Sequence, residues 1–384
     1  MKMLTRIMLV IILCAFGTMQ AREAEQGEFK KTLKVGKSGA LELYVSLGSI
    51  QINPWDKNEM VIEAKGLYDQ DADKVKITQT GNIVKINYEQ GGHPDEVKFI
   101  ISLPAQHNVR LSTSSGDIEV NGTLKGEFRG STSGGDIRLG KVDGLVALNT
   151  SGGSIISGDV SGNASFSTSG GDISIGNVAG TAQINTNGGD ITVKNVGEKL
   201  SATTYGGDIQ VASIDGDGRI TTYGGDIHIE KVSGNADVNT YGGDIYLSGA
   251  SGKVKANTNG GDITLSKISG PVDAQTRSGS VTLEMLSTGN DKSKIVASNG
   301  DITLYLKDDI KATVNANIRM RGWNKNDHKP FMIHSDFNTT QEPEYDDQNN
   351  EVRINLPVNG GGEVISLETV NADINIKKLS SKKK

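Results

Sequence analysis

The sequence predicts an all-β protein, built as a single-chain parallel β-solenoid (β-helix-like) with 18-residue coils and β caps. Three observations support this fold class. The tripeptide Gly-Asp-Ile recurs every 18 residues, apolar and polar residues alternate within each repeat, and the 384-residue chain has 49 glycines but only 5% aromatic residues. Each repeat is too small to bury its own apolar face, so we expect successive repeats to stack.

The aspartate of the tripeptide fixes the register of the repeat, and we number it position 0. It stands at 117, 136, 172, 190, 208, 226, 244, 262 and 301, and serine takes its place at 154 and 280. Every step from 136 to 280 is 18 residues. Glycine precedes position 0 in each of these copies and is also usual at positions −2 and +8. Such glycines favour turns that use positive φ.

Two strands are predicted in every repeat. Positions +1 and +3 carry large aliphatic residues, such as Ile191 and Val193, whereas positions +10 and +12 carry smaller ones, such as Ala236 and Val238. Apolar residues two apart are typical of strands, and the glycine punctuation excludes helices. Coils about 4.8 Å apart would stack like residues on like residues. The small second strand favours a flattened coil, with a triangular coil as the alternative.

Residues 1–21 are predicted to be a signal peptide. Lys2 and Arg6 precede an apolar run over 7–16, and small residues lead up to Ala21. Cleavage there removes the single cysteine, Cys14, and leaves 38 basic against 46 acidic side chains, a net charge of −8. The chain is therefore expected to be exported to the periplasm, cell surface or extracellular space, without a stable transmembrane span after cleavage and without nucleic acid as a partner.

The rest of the chain divides into four predicted segments. Residues 28–110 have irregular strand patterns and form an N-terminal β cap, and 111–304 form the solenoid of 18-residue repeats. Residues 305–362 break the repeat and form an irregular insertion. In 363–384 the repeat spacing returns around Asp373, which predicts a closing coil followed by a Lys-rich tail. Caps are expected because open strand edges pair with other chains.

No catalytic residue, metal site or cofactor is predicted, because no known catalytic or nucleotide-binding spacing occurs in a suitable context. The acidic column at position 0 has two interpretations. Its carboxylates accept backbone N–H groups at the turn, or they bridge calcium between coils. The serines at 154 and 280 favour the first, in which this column is a structural turn ladder. Its members are Asp136, Asp172, Asp190, Asp208, Asp226, Asp244 and Asp262.

Three consecutive repeats carry tyrosine at position −3, namely Tyr205, Tyr223 and Tyr241. One interpretation is a binding stripe on which sugar rings stack. The other is aromatic packing between neighbouring coils over a glycine-rich turn.

The pattern Thr-x-Gly-Gly-Asp-Ile-x-Leu, together with the lead-in segment 97–105, resembles a bacterial family of adhesin-like proteins and domains of unknown function with Gly-Gly-Asp-Ile β-strand repeats. The resemblance covers most of the chain. It implies an exported, non-enzymatic surface or envelope protein with a structural or binding role, whose partner is a cell-surface glycan or an envelope protein. The alternatives are a glycan-binding or glycan-cleaving solenoid and a periplasmic partner in envelope signalling.

Overall fold

The structure is a computed structural model that describes residues 26–89, 97–322, 331–337, 342–346 and 349–381. Within these residues the chain forms 35 strands and two short 3₁₀ helices, and most strands pair in parallel, which confirms the predicted β-solenoid. Among the same residues, none of the helices is long and apolar enough to cross a bilayer. The predicted signal peptide, 1–21, lies outside the described residues.

Strands are numbered in chain order. Strands β1 to β9 are Gln26–Lys34, Gly39–Val45, Ser49–Trp55, Glu59–Tyr68, Val75–Thr80, Ile83–Tyr88, Lys98–Pro104, His107–Thr113 and Ile118–Lys125. Strands β10 to β19 are Phe128–Ser131, Ile137–Asp143, Val146–Asn149, Ile155–Ser157, Ala164–Ser167, Ile173–Val178, Ala182–Asn185, Ile191–Val196, Leu200–Thr203 and Ile209–Ile214. Strands β20 to β29 are Gly218–Thr221, Ile227–Val232, Ala236–Asn239, Ile245–Leu247, Val254–Thr258, Ile263–Ile268, Val272–Thr276, Val281–Met285, Ser293–Ala297 and Ile302–Leu306. Strands β30 to β35 are Ala312–Arg319, Ile333–Ser335, Glu344–Asp346, Glu351–Val358, Glu363–Val370 and Ile374–Lys378, and the 3₁₀ helices are Asp69–Lys74 and Leu379–Ser381.

The strands form two sheets that run the length of a rod. In the first sheet the order is β1-β4-β7-β3-β9, then the odd strands from β11 to β29, then β35-β31. In the second sheet it is β5-β6-β2-β8, then the even strands from β10 to β28, then β34-β30-β33-β32. Each coil of the repeat thus gives one strand to each sheet.

Equivalent positions of neighbouring coils stack in register. Ile191 pairs with Ile209 in the first sheet, and Ala182 pairs with Leu200 in the second. Positions +1, +3, +10 and +12 point inward and form a thin aliphatic core. In most coils positions +4 and +5 both point outward before position +6 turns inward again. Two successive outward residues break strand alternation, so the first strand bends at this point.

The glycines of the repeat differ in backbone conformation from what the sequence predicts. No glycine at position −2, −1 or +8 of the 18-residue coils from 136 to 280 has a positive φ, whereas Gly48 and Gly126, which stack at positions −1 and +8 in the irregular N-terminal coils, do. At position −1 the reason is space: a Cβ on Gly153 would lie 2.0 Å from the carbonyl oxygen of Gly135 in the coil below. The glycines at −1 are therefore required by the close approach of stacked backbones, and the prediction of positive-φ turns is wrong for the regular 18-residue coils.

In the N-terminal cap, the order in which the coils stack differs from their order along the chain. The coil made by β2 and β3 lies between the coil of β6 and β7 and the coil of β8 and β9. Beyond them, β4 runs antiparallel to β7, and β1 runs antiparallel to β4. The predicted boundary at 110/111 falls inside β8, since this strand already belongs to the stacked coils.

The C-terminal end also differs from the predicted order. The coil of β34 and β35, predicted to close the solenoid within 363–384, instead packs directly on β28 and β29. The described part of the segment 305–362, predicted as an irregular insertion, supplies the outermost layer: β30 and β31 stack on this coil, and β33 and β32 add antiparallel strands. The repeat pattern marks which residues make a coil, but not the order in which coils stack.

Candidate functional site

The residues singled out in the sequence meet along one edge of the rod, where the chain passes from the second sheet to the first. We call this edge, positions −4 to 0 of every repeat, the Gly-Gly corner. It carries a buried threonine at −4, a variable residue at −3, two glycines, and the aspartate at 0.

The threonines at position −4 form a buried column of hydroxyl groups. From Thr150 to Thr276 each Oγ1 donates to the carbonyl of the −1 glycine in the preceding coil, at 2.8–2.9 Å. Each Oγ1 also accepts the N–H of the −1 glycine in its own coil, at 3.2–3.4 Å. One hydroxyl thus satisfies two buried backbone groups, which would otherwise destabilise the fold.

Sequence reasoning noted these threonines only as part of the pattern and assigned them no role. Their signal was a threonine recurring two residues after the apolar position +12, in phase with the inward face of the second strand. The same bond reaches both ends of the rod, where Thr113 donates to Gly48 and Thr369 donates to Gly300, at 2.8 and 2.7 Å.

The aspartates at position 0 form a second, exposed column. Each Oδ1 accepts the backbone N–H of position 0 in the next coil, at 2.7–2.9 Å, as Asp226 does from Asp244 at 2.8 Å. The same bond reaches Ser154 from Asp136 and Ser280 from Asp262, both at 2.8 Å. Where serine replaces aspartate, its Oγ accepts this bond at 3.2 Å. The acceptor therefore serves the adjacent coil rather than a turn in its own coil.

These bonds give the acidic column a structural role. One oxygen of each carboxylate is held by a backbone amide, and Oδ2 of Asp244 accepts the hydroxyl of Tyr246 at 2.9 Å. Within the residues that the structure describes, no three His, Cys, Asp or Glu side chains are grouped so that they could hold a metal ion. The geometry matches the structural interpretation of the turn ladder.

The three tyrosines at position −3 form a stack. The rings of Tyr205 and Tyr223 are 4.7 Å apart at 5°, and those of Tyr223 and Tyr241 are 5.0 Å apart at 4°. The side chains are exposed, at 56%, 43% and 54% respectively. Because Tyr223 has a tyrosine against each face, the stack offers ring edges and hydroxyl groups to solvent rather than a flat aromatic surface.

The family model described as Toastrack DUF4097 matches the chain twice, over residues 39–223 and 200–377. Among curated proteins, none is similar to the chain in sequence.

Solved structures with some similarity include a putative adhesin from Parabacteroides merdae, at 14% identity and a TM-score of 0.34, covering 72% of this chain and 97% of that one. A putative adhesin from Parabacteroides distasonis has 13% identity and a TM-score of 0.27, covering 73% and 98%. One from Bacteroides fragilis has 13% identity and a TM-score of 0.22, covering 92% and 97%.

Proposed function

Because the chain belongs to the Toastrack DUF4097 family, we propose that it is an exported, non-enzymatic, adhesin-like binding rod of the bacterial cell surface or envelope. The observation that carries the proposal is the Gly-Gly corner. Its threonine and aspartate columns, the side chains most suited to chemistry, are hydrogen-bonded to the backbone of neighbouring coils. Residues held in this way support a scaffold, whereas general acid–base catalysis needs groups free to exchange a proton with substrate.

The capped ends support the same role. Antiparallel strands cover the repeat at both ends, through β4 and β1 on one side and β33 and β32 on the other. The edge strand β1 carries Lys30, Lys31 and Lys34, which discourage pairing with another chain. A rod closed in this way presents long side faces to partners without growing into a fibre.

Export is supported by the sequence of residues 1–21 and by the lack of cysteine after that segment. Cell fractionation of the native protein, with protease treatment of intact cells, tests the proposal. We expect the protein in the envelope or medium, and expect deletion of 2–21 to keep it in the cytosol. A cytosolic wild-type protein would contradict export. A soluble periplasmic protein, inaccessible to protease, would contradict adhesion and favour an envelope partner.

A second candidate is glycan binding at the tyrosine stack, favoured by the exposure of its three rings. A glycan array compares the wild type with the triple variant Tyr205→Ala/Tyr223→Ala/Tyr241→Ala. Tyr246→Ala is a suitable control, because Tyr246 is also exposed and lies on the neighbouring face. Loss of a signal in the triple variant alone would support this candidate, and its retention in all three proteins would place any glycan site elsewhere.

A further inference from the structure

The column of side chains at position −3 changes character near the C-terminal end of the rod. After Tyr241 it continues through Asn259 to Arg277. Strand pairing then places Ser298, Val370 and Arg319 on the next three coils, because Thr276 pairs with Ala297, Ala297 with Thr369, and Thr369 with Ile318. Two arginines thus flank two smaller residues in a single column.

The smaller residues leave a cleft between the arginines. Its volume is about 560 Å³, and its lining includes Arg277, Ser298, Asn299, Arg319, Arg321 and Glu368. Pockets that hold small molecules typically measure ~300–1,000 Å³. Three coil steps of about 4.8 Å separate Arg277 from Arg319 along the column, a span that long arginine side chains can reach across.

The positive charge of this cleft is only partly neutralised. Arg319 pairs with Glu351 at 3.4 Å, and Glu368 pairs with Lys294 at 3.7 Å. Within the described residues, Arg277 and Arg321 form no ion pair. The coil of Arg277 also carries Ser280 in place of the usual aspartate at position 0. In a protein with a net charge of −6, two unpaired guanidinium groups at one cleft are a local exception.

The neutral groups of the cleft suit hydroxyl groups. The amide nitrogen of Asn299 donates to the carbonyl of Arg277 at 2.9 Å, which fixes this side chain and leaves its oxygen as an acceptor. The backbone N–H of Arg321 donates to Oδ1 of Asn371 at 2.8 Å, and Nδ2 of Asn371 donates to the carbonyl of Arg321 at 3.0 Å. These two bonds hold the backbone of Arg321 in place. The cleft therefore combines guanidinium groups with hydrogen-bond acceptors.

We propose that this cleft binds an acidic sugar, with Arg277 and Arg321 holding its oxyanion and Asn299 and Glu368 accepting its hydroxyl groups. Guanidinium groups bind carboxylates and sulfates through paired hydrogen bonds, and both anions occur on sugars. The acidic column at position 0 continues beside the cleft through Asp301 and Asp373, but in the other repeats position −3 is serine, asparagine or tyrosine, so the charged group of the ligand is expected at the arginines rather than along the tyrosine stack. The proposal refines the proposed binding function by naming a ligand class.

Titration calorimetry on the purified protein tests the proposal with three probes: a galacturonic acid trisaccharide, its neutral methyl ester, and a sulfated glycosaminoglycan disaccharide. We expect saturable binding of at least one acidic probe and no binding of the ester. The acidic probe that binds more tightly identifies the carboxylate or the sulfate as the preferred group. Binding should weaken as salt rises.

Arg277→Gln and Arg321→Gln should each weaken binding about tenfold, and the double variant about a hundredfold. Arg138→Gln is the matched control, because it removes the same charge from an exposed arginine paired with Asp136 in the repeat, and it should change the Kd less than about twofold. Melting curves show that each variant is folded.

The proposal is overturned if neither acidic probe binds, if the ester binds as tightly as the acid, or if Arg138→Gln weakens binding as much as the cleft variants. These measurements use purified protein and do not depend on where the cell places it. Failure of the cleft and failure of the export proposal are therefore separate results.

Discussion

The middle of the rod and its two ends are made of the same kind of coil but differ in what fixes their residues. In the middle, each residue meets its own equivalent above and below, as Ile209 meets Ile191 and Ile227. At the ends, coils stack out of chain order, and residues distant in sequence become neighbours, as Thr113 and Gly48 do. In the middle, the inward-facing residues are therefore constrained mainly by stacking on their equivalents, whereas at the ends this constraint is weaker.

This difference separates scaffold from candidate sites. Columns of identical hydrogen bonds make the backbone stacking of the middle uniform, while exposed positions such as −3 vary from coil to coil. The arginine cleft arises where the repeat is interrupted and strand β34, from late in the chain, inserts beside β28. The predictions below change one member of a column, beginning with the largest expected effect.

Replacing Gly153 by alanine should destabilise the middle of the rod most. The added Cβ would lie 2.0 Å from the carbonyl oxygen of Gly135, so the stacked backbones would have to separate. We expect a loss of about 3 kcal/mol or more in the free energy of unfolding, measured by urea denaturation.

The adjacent Gly152→Ala is the control for this prediction. Its Cβ would meet the nearest atom at 3.4 Å, and its φ is outside the left-handed region. The variant should be neutral or up to about 1 kcal/mol more stable, because alanine restricts the unfolded chain. Equal losses in both variants would show that close stacking is not the reason for the −1 glycine.

Replacing Thr204 by valine should cost about 2 kcal/mol. Thr204 is 0% exposed, and its hydroxyl serves Gly189 and Gly207 at 2.9 and 3.3 Å. Valine keeps the shape but leaves both backbone groups without this partner. Thr203→Val, at the partly exposed last residue of β18, should change stability by less than about 0.5 kcal/mol. Similar unfolding midpoints for both variants in urea would show that the threonine column contributes little to stability.

Most of the fold was predictable because the same pattern of apolar and glycine positions recurs in every repeat. Apolar residues at +1, +3, +10 and +12 specify two strands, and coils this small must stack. The stacking order at the ends was not predictable, because β2 and β34 carry the same pattern wherever they insert. The arginine cleft was not predicted for the same reason. Arg277 and Arg321 are 44 residues apart in the chain, and the stacking order of the C-terminal coils brings them to one cleft.

Replacing Asp226 by alanine should cost about 1 kcal/mol, because the amide of Asp244 loses its acceptor at 2.8 Å on an exposed surface. Asp226→Asn keeps an acceptor oxygen and lowers the negative charge of the column, so it should be neutral or slightly stabilising. Adding Ca²⁺ should leave the Tm of the wild type unchanged. A clear rise in Tm with Ca²⁺ that is lost in Asp226→Asn would instead support calcium bridging.

Replacing Tyr223 by leucine should destabilise the rod by about 1 kcal/mol or less. It removes two stacking contacts, at 4.7 and 5.0 Å, but these rings are half exposed. Tyr246→Leu should cost less, because the ring of Tyr246 lies 6.1 Å from that of His228 and is tilted by 36° to it. Urea denaturation of the two variants measures the difference, and a larger loss for Tyr246→Leu would show that the stack contributes little to stability.

The smallest effect at neutral pH, and one confined to an end, concerns His107 in β8. Its side chain is 0% exposed, and burial lowers its pKa, an effect partly opposed by the backbone of Lys37. The folded state then binds a proton less readily than the unfolded state, in which the histidine pKa is near its ordinary value of 6.5. Stability should be constant above about pH 6.5 and fall as the pH drops below it.

Hydrogen exchange measured at pH 7.5 and 5.5, corrected for intrinsic rates, should show lost protection in the N-terminal cap but not in coils 137–268. His107→Gln should remove this pH dependence, whereas His228→Gln, on the exposed face of the repeat, should leave it unchanged. Equal loss of protection in cap and repeat would mean that acid acts on the whole rod and that the buried histidine does not distinguish its ends.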